Sequence, residues 1–254
     1  GPYSAATKSG NCIHVSGQLP VDPATGEFAG DDIQAQTRQS LTNVKNVLEA
    51  AGATIVEVDL PHIDAALSAY YVLGPCEAFS NLARFDSVRY GYCAEGHKDL
   101  GSQYEASRAA GFGMEAKRRI MLGSYLLSSG VYEKYYYPAQ QVRTLITQDY
   151  QAAYEKCDVI LAPTSPRTAF KFGEIGDPVE MHLSDIFTVS INIAGNGGMS
   201  VPCGLGSDTG LPVGVQLIAP QFKDENMFRA AAALEAVYGA APIAPDFAAG
   251  KAGE

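Results

Sequence analysis

The chain has 254 residues, 46% of them hydrophobic, and a formal net charge of −10. That length suits one large domain or two small ones, and the apolar content excludes global disorder. The acidic balance argues against direct nucleic-acid binding, which needs clustered Lys and Arg, and neither a membrane-spanning apolar run of about 18 residues nor a secretory leader is expected.

Residues 11–16, "NCIHVS", alternate apolar and polar in the manner of a half-buried strand. "VDPATGEF" follows with Pro23 and Gly26 in turn-forming positions, which predicts a hairpin leading out of that strand. Asp31 and Asp32 suit a helix start, with Ile33, Thr37, Leu41, Val44 and Leu48 on one face and Gly52 at the C-terminal cap. This opening reads as a strand–strand–helix unit. "TIVEVDLP" (54–61) reads as a short strand ended by Pro61, and helical patterns follow over 63–84, 115–129 and 139–156. Pro138, which lacks an N–H and clashes with a preceding turn, should start a helix or kink one. The tyrosines 132, 135, 136 and 137 read as packing at a helix start rather than as a base-stacking surface.

Residues 157–163, "CDVILAP", predict a buried strand with a breaker at its end. The run "VSINIAGNGGMSVPCG" suggests buried sheet with close backbone approach, and "MSVPCGL" and "LPVGVQLIAP" two strands around the turn "GSDTG". Residues 224–238 predict an amphipathic helix through Met227, Ala231, Leu234 and Tyr238, and residues 244–254 a disordered tail. Mixed strands and helices predict an α/β or α+β class. The five cysteines (12, 76, 93, 157 and 203) include no CxxC pair, and the four histidines are scattered. A reduced, cytoplasmic protein without disulfides or a metal centre is therefore expected.

The strings "GPYSAATKSGNCIHVSGQLPVDPATGEFAG" and "QTRQSLTNVKNVLEAAGA" resemble the start of the Rid family of reactive-intermediate deaminases. That resemblance covers residues 1–52 and implies a small ββα module. Rid proteins are trimers that hydrolyse enamines and imines. The strands that bear their substrate-gripping arginine and water-positioning acid have no counterpart here, and Tyr3 alone matches a position near the pocket.

Over residues 53–243 the chain resembles the amidase subunit of the tRNA-dependent amidotransferases, within the amidase-signature family. "EAFSNLARFDSVRYGY" (77–92), "GFGMEAKRRIMLGSYLLSSG" (111–130), "QQVRTLI" (140–146), "VILAPTSPRTAF" and "NIAGNGGMSVPCGL" carry this resemblance. It implies the C-terminal part of an α/β domain with a mixed sheet flanked by helices. The two resemblances meet in "AGATIVEVDLP", as in a fusion or chimera.

Hydrolysing a glutamine side-chain amide needs an activated nucleophile, a proton relay and an oxyanion hole. The amidase-signature family uses a Ser–cis-Ser–Lys arrangement, and no "GGSSGGS"-like run occurs here. Ser200 follows the glycine-rich stretch 195–198 but matches a later family segment, and Ser4 with Lys8 lacks SxxK spacing. No catalytic residue is therefore assigned, and these residues alone are expected to be inactive.

What the resemblance retains is glutamine recognition. Tyr70 matches a residue whose hydroxyl bonds the substrate, Arg119 the one that pairs with the α-carboxylate, and Asp185 the acid that takes the α-ammonium. A forked guanidinium suits a planar carboxylate, and a carboxylate suits an ammonium. Without the resemblance, Tyr70 reads as a core or rim tyrosine, and Arg119, beside Lys117 and Arg118, as part of a solvated basic face. Asp185 then reads as a helix cap for "IFTVS". The resemblance implies glutamine and other amidotransferase subunits as partners and tRNA held only through a partner. It implies no cofactor on this chain, with ATP and Mg²⁺ used on a partner subunit. Rivals are a Rid-type imine deaminase and a non-catalytic fragment that binds glutamine or docks on subunits.

Overall fold

The computed structural model describes residues 6–9, 12–15, 22–25, 38, 39, 42, 45, 54–206 and 209–238. Strands β1 (Ala6–Ser9) and β2 (Cys12–Val15) form an antiparallel pair, with Ala6 opposite Val15. The strand expected at 11–16 is thus present, but it pairs back onto the preceding residues. Pro23 and Thr25 lie in a turn, as expected, where the Ala24 N–H donates to Asp22 Oδ1 at 2.8 Å, and the flanking residues of the expected hairpin on either side lie outside the described residues. Arg38, Gln39, Thr42 and Lys45 are helical, and Thr42 Oγ1 donates to Arg38 O at 2.8 Å. The expected apolar face of that helix, its Gly52 cap and the tail at 244–254 lie outside the described residues.

"TIVEVDLP" is not a strand: residues 54–60 pair with no strand among the described residues. Its end is drawn into the next helix instead, because Leu60 O accepts from the Ile63 N–H (3.1 Å). The His62 N–H donates to Asp149 Oδ2 (2.8 Å), and the His62 ring Nδ1 lies 3.0 Å from Asp149 Oδ1.

The chain divides into two compact units, residues 60–149 and the remainder. Residues 60–149 are helical. A 3-10 turn (Ile63–Ala65) leads into α1 (Ala66–Leu82), followed by α2 (Leu100–Gly111), α3 (Met114–Leu126) and α4 (Tyr137–Tyr154), the last of which runs on into the other unit. Helices α1 and α3 lie so close that a Cβ on Gly123 would overlap the Pro75 carbonyl oxygen. Helix α2 was not predicted. Its start is a reciprocal cap, in which the Ser102 N–H donates to Asp99 Oδ1 (2.8 Å) and the Asp99 N–H to Ser102 Oγ (3.1 Å). Serine replaces the usual Glu or Gln of that motif, which hides it from a pattern search.

One π-helical turn, Tyr132–Tyr136, precedes α4, closed by the Tyr137 N–H on Tyr132 O. Pro138 is the second residue of α4, where its missing N–H costs little. The expected packing at this helix start holds in part: half-buried Tyr136 lies against Tyr132 with ring centroids 4.9 Å apart, whereas Tyr135 and Tyr137 are 41% and 56% exposed.

The loop from α1 to α2 hangs on α2. Arg108 Nη1 donates to Leu82 O (3.1 Å) and Phe85 O (2.9 Å), and its guanidinium lies over the Phe112 ring. Backbone N–H groups of Arg89 and Val88 hold the Asp86 carboxyl below the usual carboxylate range. Ser87 takes a left-handed conformation (φ 67°), and its buried hydroxyl has no hydrogen-bond partner among the described residues. Both features cost free energy at a non-glycine residue. Ser87→Gly should therefore stabilise the chain by about 1 kcal/mol. Urea unfolding measures this; a Ser87→Gly variant no more stable than the parent would show that the strain is relieved elsewhere.

The second unit holds β3 (Ile160–Pro163), α5 (Pro178–Leu183), α6 (Val189–Ala194), β4 (Gly197–Leu205), β5 (Pro212–Ala219) and α7 (Asp224–Tyr238). The sheet order is β3-β5-β4, and both pairings are antiparallel, where a mixed sheet was expected. Only Ile160 of β3 is buried, and Leu161 is 37% exposed, so β3 is less enclosed than predicted. Residues 189–194, expected as sheet, are the helix α6, which ends on Gly195 in the left-handed region (φ 76°). Helix α7 has the bounds expected from the sequence. It buries Met227, Ala231 and Leu234 against Val201, Val215, Leu217 and Ala219. Alternation along β5 places Gly214, Gln216 and Ile218 on the opposite face, the one α6 covers. There a Cβ on Gly198 would lie 3.2 Å from Ile191 Cγ2.

Candidate functional site

Tyr70 lies on α1, half-buried, its ring edge-on to Tyr71 with centroids 5.2 Å apart. Arg119 lies on α3, which packs against α1. Its Nε donates to Glu115 Oε1 at 3.1 Å, a bond the i,i+4 spacing of one helix face allows, while Arg118 Nη1 takes the other oxygen at 3.0 Å. The Arg119 side chain is 44% exposed, and both of its terminal amino groups are without a partner among the described residues. The Tyr70 hydroxyl likewise has no partner among them. Tyr70 and Arg119 therefore stand on neighbouring helices of one unit, each with a free polar end.

Asp185 belongs to the other unit, in the turn between α5 and α6. It does not cap α6 with its side chain, as the default reading of an aspartate there would have it. The N-cap is Thr188, without a side-chain cap, and it is the Asp185 carbonyl that accepts, from the Thr188 and Val189 N–H groups at 2.9 and 3.1 Å. Its carboxylate is exposed and unpaired among the described residues.

The face of the sheet under α6 carries a set of polar groups that sequence reasoning missed. Tyr150 and Ser190, both enclosed, share a 2.9 Å hydrogen bond between hydroxyls. Burial raises the Tyr150 pKa, the Ser190 hydrogen bond opposing it, so the phenol stays neutral. Thr164 and Ser200 hydroxyls meet at 2.9 Å beside Gly214, where a Cβ would come 2.6 Å from Ser200 Oγ. Gln216 Nε2 donates to Phe187 O at 2.7 Å. The one signal for this set was a glutamine inside the apolar run "VGVQLIA". Ser200 has the Thr164 hydroxyl for its neighbour, and no lysine amine bonds it among the described residues. Burial also pushes the Cys76, Cys157 and Cys203 thiols up, which leaves them poor nucleophiles. Among the described residues no group of three His, Cys, Asp or Glu side chains could hold a metal ion, and no helix is long and apolar enough to cross a membrane.

The sequence profile of the Amidase family matches residues 24–228. The chain belongs to the Amidase family. This Amidase match begins inside the segment that resembles the Rid family. Amidase relatives that are A subunits of Glutamyl-tRNA(Gln) amidotransferase include that of Caldanaerobacter subterraneus subsp. tengcongensis, 49% identical over 213 residues, 84% of this chain and 43% of that protein. That of Anaeromyxobacter dehalogenans is 50% identical over 221 residues, 87% of this chain and 45% of that protein. The chain thus spans less than half the length of these relatives. The crystal structure of the Thermotoga maritima protein of the same name superposes with a TM-score of 0.54 at 40% identity, covering 76% of this chain and 36% of that one.

Proposed function

We propose that this chain supplies the glutamine-recognising part of an amidase subunit in a cytoplasmic tRNA-dependent amidotransferase. Ammonia freed from glutamine would pass to a partner subunit, which holds the tRNA and uses ATP and Mg²⁺ to amidate Glu-tRNA(Gln) or Asp-tRNA(Asn). The identity to the amidotransferase relatives over most of this chain carries the reading. Tyr70, Arg119 and Asp185 take the substrate hydroxyl contact, the α-carboxylate and the α-ammonium, and the free polar end on each of them supports those roles. The serine–lysine machinery has no counterpart in these residues, so they bind glutamine without cleaving it.

Two measurements on the 254-residue chain test this. L-glutamine at ten times its Kd should stabilise the fold by about 1.4 kcal/mol, read as a rise in melting temperature. Ammonia release from glutamine should stay at the background rate. A flat melting temperature at saturating glutamine would count against recognition. Turnover lost on Arg119→Ala would instead show a nucleophile on this chain.

A second reading concerns residues 1–52 alone. The antiparallel pair β1–β2 followed by helical residues fits the strand–strand–helix order of a Rid-like module. That module would make the chain a trimer that hydrolyses amino-acid-derived imines, and a monomer without such activity would end this reading.

A further inference from the structure

We propose that Gln216 is a positioning residue for Asp185: its buried amide fixes the turn that presents the Asp185 carboxylate to the ammonium group of an amino-acid ligand. The inference rests on the reading of Asp185 given under the proposed function. Gln216 is 4% exposed in the centre of β5, flanked by Val215, Leu217, Ile218 and Ala219, all buried. A polar side chain in such a place is costly unless bonded. Its bond is short, 2.7 Å from Nε2 to Phe187 O, and it reaches from the sheet to the turn that precedes α6.

That turn is held at two points. Asp185 O accepts from the Thr188 N–H, the Val189 N–H and Thr188 Oγ1 at 2.9, 3.1 and 3.1 Å, which ties the Asp185 backbone to the first turn of α6. Thr188 O in turn accepts from Asn192 Nδ2 at 3.0 Å. These bonds make the turn internally stiff but do not attach it to the sheet. Among the described residues, the bond from Gln216 makes that attachment. The backbone of Asp185 is therefore fixed while its carboxylate remains free, the arrangement that spares a ligand the cost of ordering its own site.

Calorimetric titration of the 254-residue chain with L-glutamine and with glutaramate, which lacks only the α-ammonium, tests this. The parent should prefer L-glutamine by roughly tenfold or more, the increment of a charge-assisted bond. Asp185→Asn should erase the preference. Gln216→Leu and Gln216→Asn should reduce it to about twofold or less while leaving glutaramate affinity in place, and adding either to Asp185→Asn should change nothing further. Folded Gln216 variants that keep the parent's ratio, or that lose both ligands in equal proportion, would overturn the inference and leave Asp185 standing. A parent without preference, or one whose preference survives Asp185→Asn, would overturn the Asp185 reading itself. Should the variants not fold, the parent alone decides by amide exchange. L-glutamine should slow exchange of the Gln216 side-chain amide more than glutaramate does, and equal protection by the two would overturn the inference.

Discussion

Gly123→Ala is expected to destabilise the chain by about 3 kcal/mol, although the same change on an open helix face stabilises by about 1 kcal/mol. The reversal of sign comes from contact between backbones. The new methyl would overlap the Pro75 carbonyl oxygen and lie 2.7 Å from Phe79 Cβ and from the Pro75 carbonyl carbon. None of these is the end of a flexible side chain, so relief requires α1 and α3 to move apart. Pro75 sits inside α1 and brings no N–H to the Tyr71 carbonyl, so α1 is already weakened where α3 presses on it. Parting the helices would also open the packing around Leu73, Cys76 and Leu126. Gly101→Ala is the control: in the first turn of α2, its methyl would meet only Asp99 Oδ1 among the described residues, at 3.3 Å. Urea unfolding of both variants decides the matter. Equal stability would mean that the α1–α3 contact yields freely.

The elements that the sequence made legible are those whose own residues decide their structure. The bounds of α7 could be read because Met227, Ala231 and Leu234 repeat with helical period against a polar remainder, and Asp224 and Glu225 mark its start. Strands β4 and β5 were visible from their β-formers and the turn residues between them. What failed was decided by distant partners. "TIVEVDLP" has a strand's alternation but no ladder to join among the described residues, and His62 is bound to Asp149, 87 residues away. Residues 189–194 alternate like a strand, yet they coil because Gly195 can take the left-handed conformation that ends a helix and Gly198 lets Ile191 rest on β4. The site divided in the same way. Tyr70, Arg119 and Asp185 came from resemblance, since an exposed arginine or aspartate has no distinguishing pattern of its own. Gln216 differed from its neighbours in polarity, but its partner is the carbonyl of a residue 29 positions away, which no periodicity reports.

Arg119→Ala should weaken L-glutamine binding by between about tenfold and a hundredfold, the range for losing hydrogen bonds between charged groups. The pair with Glu115 does not stand in the way. Both side chains are about half exposed, at 44% and 54%, and ion pairs so exposed contribute at most about 1 kcal/mol. Glu115 also engages only Nε, leaving the terminal amino groups to meet a carboxylate edge-on. Arg119→Lys should recover only part of the loss, because an ammonium restores the charge without the fork. The ligand 4-aminobutanamide, glutamine without its α-carboxylate, separates recognition from general damage. The parent should prefer L-glutamine to it, and Arg119→Ala should bind the two alike while its affinity for 4-aminobutanamide holds. Arg118→Ala, one position along on the same helix and 62% exposed, should leave both affinities unchanged. If Arg119→Ala binds L-glutamine as the parent does, Lys117, Arg118 and Arg119 form a solvated basic face, and the α-carboxylate is held by a residue outside this helix.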